Sequence, residues 1–261
     1  MIPPAEVTEW RAQAPWANDA DIEQDLVISR AIVDLYNVEL IHERAAFRGG
    51  TPLHKILLAP ASRYSDDIDL TNTSNTPIGE TFTAMRKALA WIDPKPRYGV
   101  TEFPKLFFRF TTASGEKRRL KVEVATREAF SAARTIDLPY TVTSRFFTGS
   151  ATVRTYAIEE LLATKLRALY QRQKGRDLFD LWYAAHHKPV DLERVYELFL
   201  GYWDGMGAAR LLRNQVDANM ADKHQRLVFE DVLPLLAPGV VYVPNEGYDW
   251  FRATILPLFP A

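Results

Sequence analysis

The apolar residues of this chain change their spacing part-way along, and no other feature of the sequence constrains the fold as strongly. In the front half, short segments alternate apolar and polar residues, as in Asp67-Ile68-Asp69-Leu70-Thr71 and Leu120-Lys121-Val122-Glu123-Val124. That is the period of strands with one buried face. Beyond about Thr155 the apolar residues recur at helical spacing, as at Ile158, Leu161, Leu162, Leu166 and Leu169. A mixed front followed by a helical back is an α+β arrangement. The spacing predicts a join within residues 145–156, giving one domain over residues 1–150 and a mainly helical one over 151–261.

Individual elements follow from the same signals. A helix is predicted over residues 21–43, with Ile22, Leu26, Val27, Ile32, Val33 and Leu35 near helical spacing. Gly49-Gly50-Thr51 breaks the pattern, and Pro52 suits the first position of a helix capped by Thr51, which Pro60 then ends. Residues 67–71 read as a strand and residues 81–91 as a helix. Residues 106–112 and 119–124 read as a hairpin turning at Ser114-Gly115-Glu116. Helices are expected over 157–171, 177–187 and 191–199, and residues 205–234 read as mainly helical.

Composition removes several chemistries. The chain has no cysteine, which excludes a disulfide framework, a thiolate nucleophile and a Cys-type zinc site. No apolar run approaches the ~20 residues that span a bilayer. The opening Met1-Ile-Pro-Pro-Ala-Glu lacks the basic and apolar stretches of a secretory signal, so a cytoplasmic protein is expected. The formal net charge of -1 does not mark a nucleic-acid binder. Basic residues do cluster, at Lys117-Arg118-Arg119-Leu120-Lys121 and at Arg167, Arg172, Lys174 and Arg176. Each cluster is either a solvated face or a local groove for a phosphate-bearing partner.

Asp67 and Asp69 share one face of their predicted strand, while Ile68 and Leu70 point the other way into a core. Two carboxylates so placed repel each other unless a cation lies between them. Mg²⁺ typically binds through one or two carboxylates plus substrate phosphates. Taken alone, an Asp-x-Asp is more often a solvated acidic turn. Its meaning changes with Gly49-Gly50-Thr51 one helix upstream, because glycines before a helix N-terminus let a triphosphate approach exposed backbone N–H groups. Ser65 adds a hydroxyl on the Asp67 side if the strand extends that far back. Glu123 lies on the polar face of its own strand and would complete a carboxylate cluster for two-metal phosphoryl transfer if that strand adjoins the first. The alternative for Glu123 is an exposed residue paired with a neighbouring lysine.

Lys165 falls on the apolar stripe of its helix, where it either snorkels outward or meets a buried anion. Asp177 stands near the N-cap of the next helix, and capping is the simpler role for it. Asp180 shares that face, between Phe179, Leu181 and Trp182, and capping does not explain it. It is expected to be aimed at Lys165 or at a hydroxyl to be deprotonated. His186-His187 at a helix end has an ordinary explanation in the dipole.

Together, Phe47-Arg48-Gly49-Gly50-Thr51, Arg63-Tyr64-Ser65-Asp66-Asp67-Ile68-Asp69-Leu70, the Glu123 strand, Lys165-Leu166-Arg167-Ala168-Leu169 and Arg176-Asp177-Leu178-Phe179-Asp180-Leu181 resemble the AbiEii/AbiGii-type (MenT-like) nucleotidyltransferase toxins. These belong to bacterial type IV toxin–antitoxin and phage abortive-infection systems. The resemblance spans residues 47–181, and its specificity lies in the order and spacing of the segments. It implies a nucleotidyltransferase (DNA polymerase beta-like) fold with a mixed sheet, followed by a C-terminal helical domain that contributes Lys165 and Asp180 to the active site. It further implies that Gly49, Gly50, Thr51, Ser65 and Lys165 bind the nucleotide phosphates and that Asp67 and Asp69, with Glu123, hold Mg²⁺ or Mn²⁺. Asp67, Lys165 and Asp180 would be the catalytic set. The implied reaction moves a nucleotide from NTP to an RNA, the tRNA 3′ end in characterised relatives, and a cognate antitoxin would restrain it. Two other readings stand beside this one: transfer to a protein hydroxyl or a small molecule such as an aminoglycoside, and a nucleotide-binding module without catalysis.

Overall fold

A mixed sheet of seven strands, ordered β3-β4-β5-β2-β1-β7-β6, organises the front of the chain. The computed structural model describes residues 2–74, 76–126 and 134–261. The strands are β1 (Ala45–Arg48), β2 (Asp67–Asn72), β3 (Arg97–Val100), β4 (Pro104–Thr111), β5 (Lys117–Ala125), β6 (Ile136–Thr143) and β7 (Thr148–Thr155). β2 runs parallel to β5 and β1 parallel to β7, and the other neighbours are antiparallel. The fold class is α+β, as the sequence pattern predicts. The chain divides into two compact units between Tyr156 and Ala157.

Alternation decides which way the site faces. Ile68 and Leu70 of β2 and Leu120, Val122 and Val124 of β5 are all buried. The opposite face is therefore left to Asp67, Asp69, Lys121 and Glu123. The predicted hairpin is present as β4 and β5, with Gly115 at φ 86 in its turn. Four strands escape the sequence pattern. β1 has three successive buried residues, Ala45, Ala46 and Phe47, and so does not alternate. β3 and β6 form the sheet's edges, where solvent-facing residues dominate. β7 carries threonines and glycine more than large apolar residues.

Helices complete this unit: α1 (Pro4–Trp10), α2 (Asp19–Tyr36), α3 (Glu39–Arg44), α4 (Gly50–Pro52) and α5 (Gly79–Ala88). The single helix expected over residues 21–43 is two, because Val38 adopts extended backbone and restarts the helix as α3. Asn18 caps α2 by accepting a hydrogen bond from the Asp21 backbone N–H at 2.8 Å. Asp25, buried in α2, accepts the indole N–H groups of Trp10 and Trp16, each at 2.9 Å, and pairs with Lys55 Nζ at 2.7 Å.

The second unit is helical, with α6 (Ile158–Gln171), α7 (Arg176–His187), α8 (Leu192–Asp204), α9 (Arg213–Gln225) and α10 (Pro244–Thr254). Residues Val228–Leu235 form a 3₁₀ segment where a general helical tendency is predicted, and Pro234 inside it disfavours an α-helix. Leu161, Leu162, Leu166 and Leu169 of α6 are buried, as the stripe requires. Within the core, Tyr202 of α8 donates a hydrogen bond from its hydroxyl to Glu160 of α6 at 2.7 Å.

Candidate active site

Three adjacent strands build the acidic end of the sheet. Asp69 pairs with Arg48 of β1 on one side and with Glu123 of β5 on the other, while Asp67 pairs with Lys121. The β-pleat then places Asp67, Asp69, Lys121 and Glu123 on one face. Directly after β1 the chain turns at Gly49, which has φ 86 and ψ -157, a conformation essentially confined to glycine. A Cβ at Gly49 would lie 3.0 Å from Asp69 Oδ2, and one at Gly50 would lie 2.6 Å from Arg63 Nη2. Backbone therefore approaches the carboxylate end of β2 as closely as glycine permits.

Thr51 does not cap a helix, contrary to the sequence expectation. Gly49 is the N-cap residue, and Thr51 lies within α4, which runs on into a π-helical turn over Leu53–Leu57. The Thr51 hydroxyl instead donates to the backbone carbonyl of Asp67 at 2.6 Å and lies 2.9 Å from Ser65 Oγ. Since its single proton is engaged by Asp67, Ser65 is the donor in the second bond. Ser65 precedes β2 rather than belonging to it. The two hydroxyls tie the glycine turn to the start of the carboxylate strand.

The carboxylates are held in unequal states. Lys121 Nζ lies 2.9 Å from Asp67 Oδ2 and 3.5 Å from Asp69 Oδ1. Burial, reinforced by Asp66 and Asp69 and opposed by Lys121, pushes the Asp67 carboxyl up to about 6. Burial would lower the Lys121 pKa, but the Asp69 and Asp67 charges together hold it above the usual lysine value. Asp69 Oδ1 is buried and accepts no hydrogen bond. Hard oxygen donors with an unmet acceptor suit Mg²⁺ or Mn²⁺, and Asp67 and Asp69 would hold it.

Glu123 adjoins Asp69 in register but forms an ion pair with Lys105, whose ammonium also donates to Thr101 Oγ1 at 2.7 Å. Among the described residues, no three His, Cys, Asp or Glu side chains converge on one metal position.

In the helical unit, Lys165 is buried and does meet an anion. Its Nζ lies 2.7 Å from Asp180 Oδ2 and 3.3 Å from Asp177 Oδ1. Asp177 is not the cap of α7, since that position is Gly175. Its carboxylate takes a two-pronged contact from Arg172, at 2.7 Å from Nε and 2.8 Å from Nη2. Burial pushes the Asp177 carboxyl up, but Lys165 and Arg172 outweigh it and hold it below the usual carboxylate value. Lys223 of α9 donates to the carbonyls of Leu169 and Tyr170 at the end of α6. Burial lowers its ammonium to about 8.

Sequence reasoning passes over the bridging role of Lys121 and the clamp by Arg172. Lys121 shares the parity of Glu123, but only the parallel pairing of β5 with β2 sets it against Asp67. Arg172 follows the last residue of α6, and only the turn back into α7 brings it to Asp177. No local pattern signals either meeting.

The family profile "Nucleotidyl transferase AbiEii toxin, Type IV TA system" matches residues 31–253. Among solved structures, MenT4, a nucleotidyltransferase toxin from Mycobacterium tuberculosis H37Rv, aligns over 100% of both chains with 20% identity and a TM-score of 0.62. An antigenic nucleotidyltransferase-like protein from Paracoccidioides brasiliensis aligns over 85% of this chain and 97% of its own, with 14% identity and a TM-score of 0.40. No curated protein sequence matches the chain.

Proposed function

The chain belongs to the AbiEii nucleotidyltransferase toxin family of type IV toxin–antitoxin systems, and on that premise we propose that it transfers a nucleotide from a metal-bound NTP to an RNA, the tRNA 3′ end above all. The observation that carries this reading is the approach of the Gly49 turn to the Asp67–Asp69 pair, close enough that a Cβ would crowd Asp69. Backbone N–H groups for phosphate and carboxylates for a cation then lie side by side, which is what a metal-bound triphosphate needs.

Each residue of the sheet unit has a definite task in this account. Gly49 and Gly50 admit the triphosphate to the backbone, and Thr51 with Ser65 fixes that turn against β2. Asp67 and Asp69 would hold Mg²⁺ or Mn²⁺, and the ion would supply positive charge for the phosphates. Glu123, beside Asp69, is a third carboxylate for the same cation chemistry once it is released from Lys105. In the helical unit, Lys165 and Asp180 are assigned to the same reaction. Lys165 offers a positive charge to phosphate, and Asp180, now its ion-pair partner, is the group to accept a proton from the acceptor hydroxyl. A cognate antitoxin and a cytoplasmic site of action follow from family membership as expectations.

The acceptor is identified by incubating a cell extract with the protein, Mg²⁺ and α-labelled NTP, then separating RNA from protein. Label in RNA supports the proposal. Label in protein or in small solutes instead would redirect the activity to another acceptor within the same fold.

A further inference from the structure

We propose that Lys121 is an internal cation that occupies the charge position between Asp67 and Asp69, and that metal binding proceeds by exchange with its ammonium. This inference rests on the assignment of those two carboxylates to the metal. Three observations carry it. Lys121 sits in register with Asp67 on the neighbouring parallel strand. Its Nζ reaches both carboxylates, at 2.9 Å from Asp67 and 3.5 Å from Asp69. Asp69 Oδ1 nevertheless makes no hydrogen bond, so the ammonium bonds Asp67 and meets the pair's charge while leaving that oxygen unsatisfied.

The physical consequence is a competition. Two half-buried carboxylates on one strand face repel each other, and in the metal-free protein Lys121 offsets that repulsion. A divalent cation brings more charge and takes more oxygen ligands than an ammonium, so it binds the pair more strongly. It must first displace a positive charge that is tethered to β5 and cannot diffuse away. The two cations compete for the pair, since like charges at such separation repel. Metal binding is thereby weakened in the absence of substrate. A cation that arrives with a triphosphate, whose oxygens supply further ligands and negative charge, is favoured over the free ion. Lys121 is on this account a positioning residue that couples metal loading to nucleotide.

The test is Mn²⁺ binding to the pure protein without nucleotide, followed by the loss of the free-ion paramagnetic resonance signal. Wild type is compared with Lys121→Met, Lys121→Gln and Asp69→Asn. Removing the tethered charge is expected to tighten Mn²⁺ binding about tenfold or more in both Lys121 variants. Mn²⁺ is also expected to raise their melting temperatures more than that of wild type. The glutamine variant keeps a hydrogen-bonding side chain and guards against a packing defect in the methionine variant. Unchanged or weaker Mn²⁺ binding in both folded variants, with Asp69→Asn losing it, would overturn the exchange and leave the metal site standing. Equal binding by wild type and Asp69→Asn would overturn the metal assignment and this inference with it.

Discussion

Gly49 faces Asp69 so closely that a Cβ there would lie 3.0 Å from the carboxylate oxygen Oδ2, tighter than an ordinary contact. The close approach of backbone to carboxylate is a geometric requirement of the proposed site, and it yields a direct test. Gly49→Ala would meet both that contact and a backbone conformation at φ 86 that L-residues avoid. The expected cost is ~1–3 kcal/mol of folding stability. NTP affinity should fall further than stability explains, because the turn must shift away from β2. Denaturant unfolding and equilibrium nucleotide binding, measured on the same preparation, separate the two effects.

The buried pair of Lys165 and Asp180 makes a second prediction. Lys165→Met removes the buried ammonium that Asp180 pairs with and one of the cations facing Asp177. Breaking such a pair from one side is expected to cost ~3–5 kcal/mol. Replacing both partners, as Lys165→Met with Asp180→Leu, should cost less than the sum of the single changes. A double-mutant cycle by denaturant unfolding reads that coupling. Lys165→Arg should recover more stability than transfer activity, since it keeps the charge but not the geometry.

Acid stability should depend on Asp177. Its carboxyl is held below the usual value in the folded protein, so the folded state binds its proton less readily than the unfolded chain does. The stabilisation is therefore fully present above the unfolded carboxylate value of about 4 and is lost as pH falls through the lower folded value. Asp177→Asn should be less stable at neutral pH and should lose less additional stability below about pH 4. Helical circular dichroism followed against denaturant at several pH values checks both the level and the slope.

In the sheet unit, Asp25 ties the N-terminal helix to the π-helical turn that follows the glycines. It accepts from Trp10 and Trp16 and pairs with Lys55. Burial pushes the Lys55 ammonium down, but Asp25 outweighs it and raises it. Asp25→Asn would leave that lysine buried without its counter-charge, at an expected cost of ~3–5 kcal/mol. Adding Lys55→Met to Asp25→Asn should restore part of the loss, which urea unfolding monitored by tryptophan fluorescence would register.

Legibility in the sequence followed the range of the interaction. Ile68 and Leu70 flanking Asp69, and Val122 and Val124 flanking Glu123, announce their strands because alternation is local. Lys165 stands out because it interrupts an apolar stripe within one helix. β1 and β7 stayed hidden because one lacks alternation and the other large apolar residues. Thr51 and Asp177 were expected as helix caps from neighbouring residues, yet their side chains are claimed by Asp67 and Ser65 in one case and by Lys165 and Arg172 in the other. Tertiary partners outbid local capping wherever a buried charge or a strand start needed them. The bridging ammonium of Lys121 depends on a strand pairing between residues far apart in the chain, and no periodicity encodes it.

Nucleotide transfer to tRNA through the Asp67–Asp69 pair can be assayed by incubating the pure protein with Mg²⁺, each α-labelled NTP in turn and total tRNA, beside a folded Asp67→Ala control. The account predicts label at the tRNA 3′ end with the intact protein, with a preference among the nucleotides, and none with Asp67→Ala. Equal labelling by both proteins would contradict the role of Asp67, and an intact protein that binds NTP yet leaves tRNA unlabelled would contradict the acceptor.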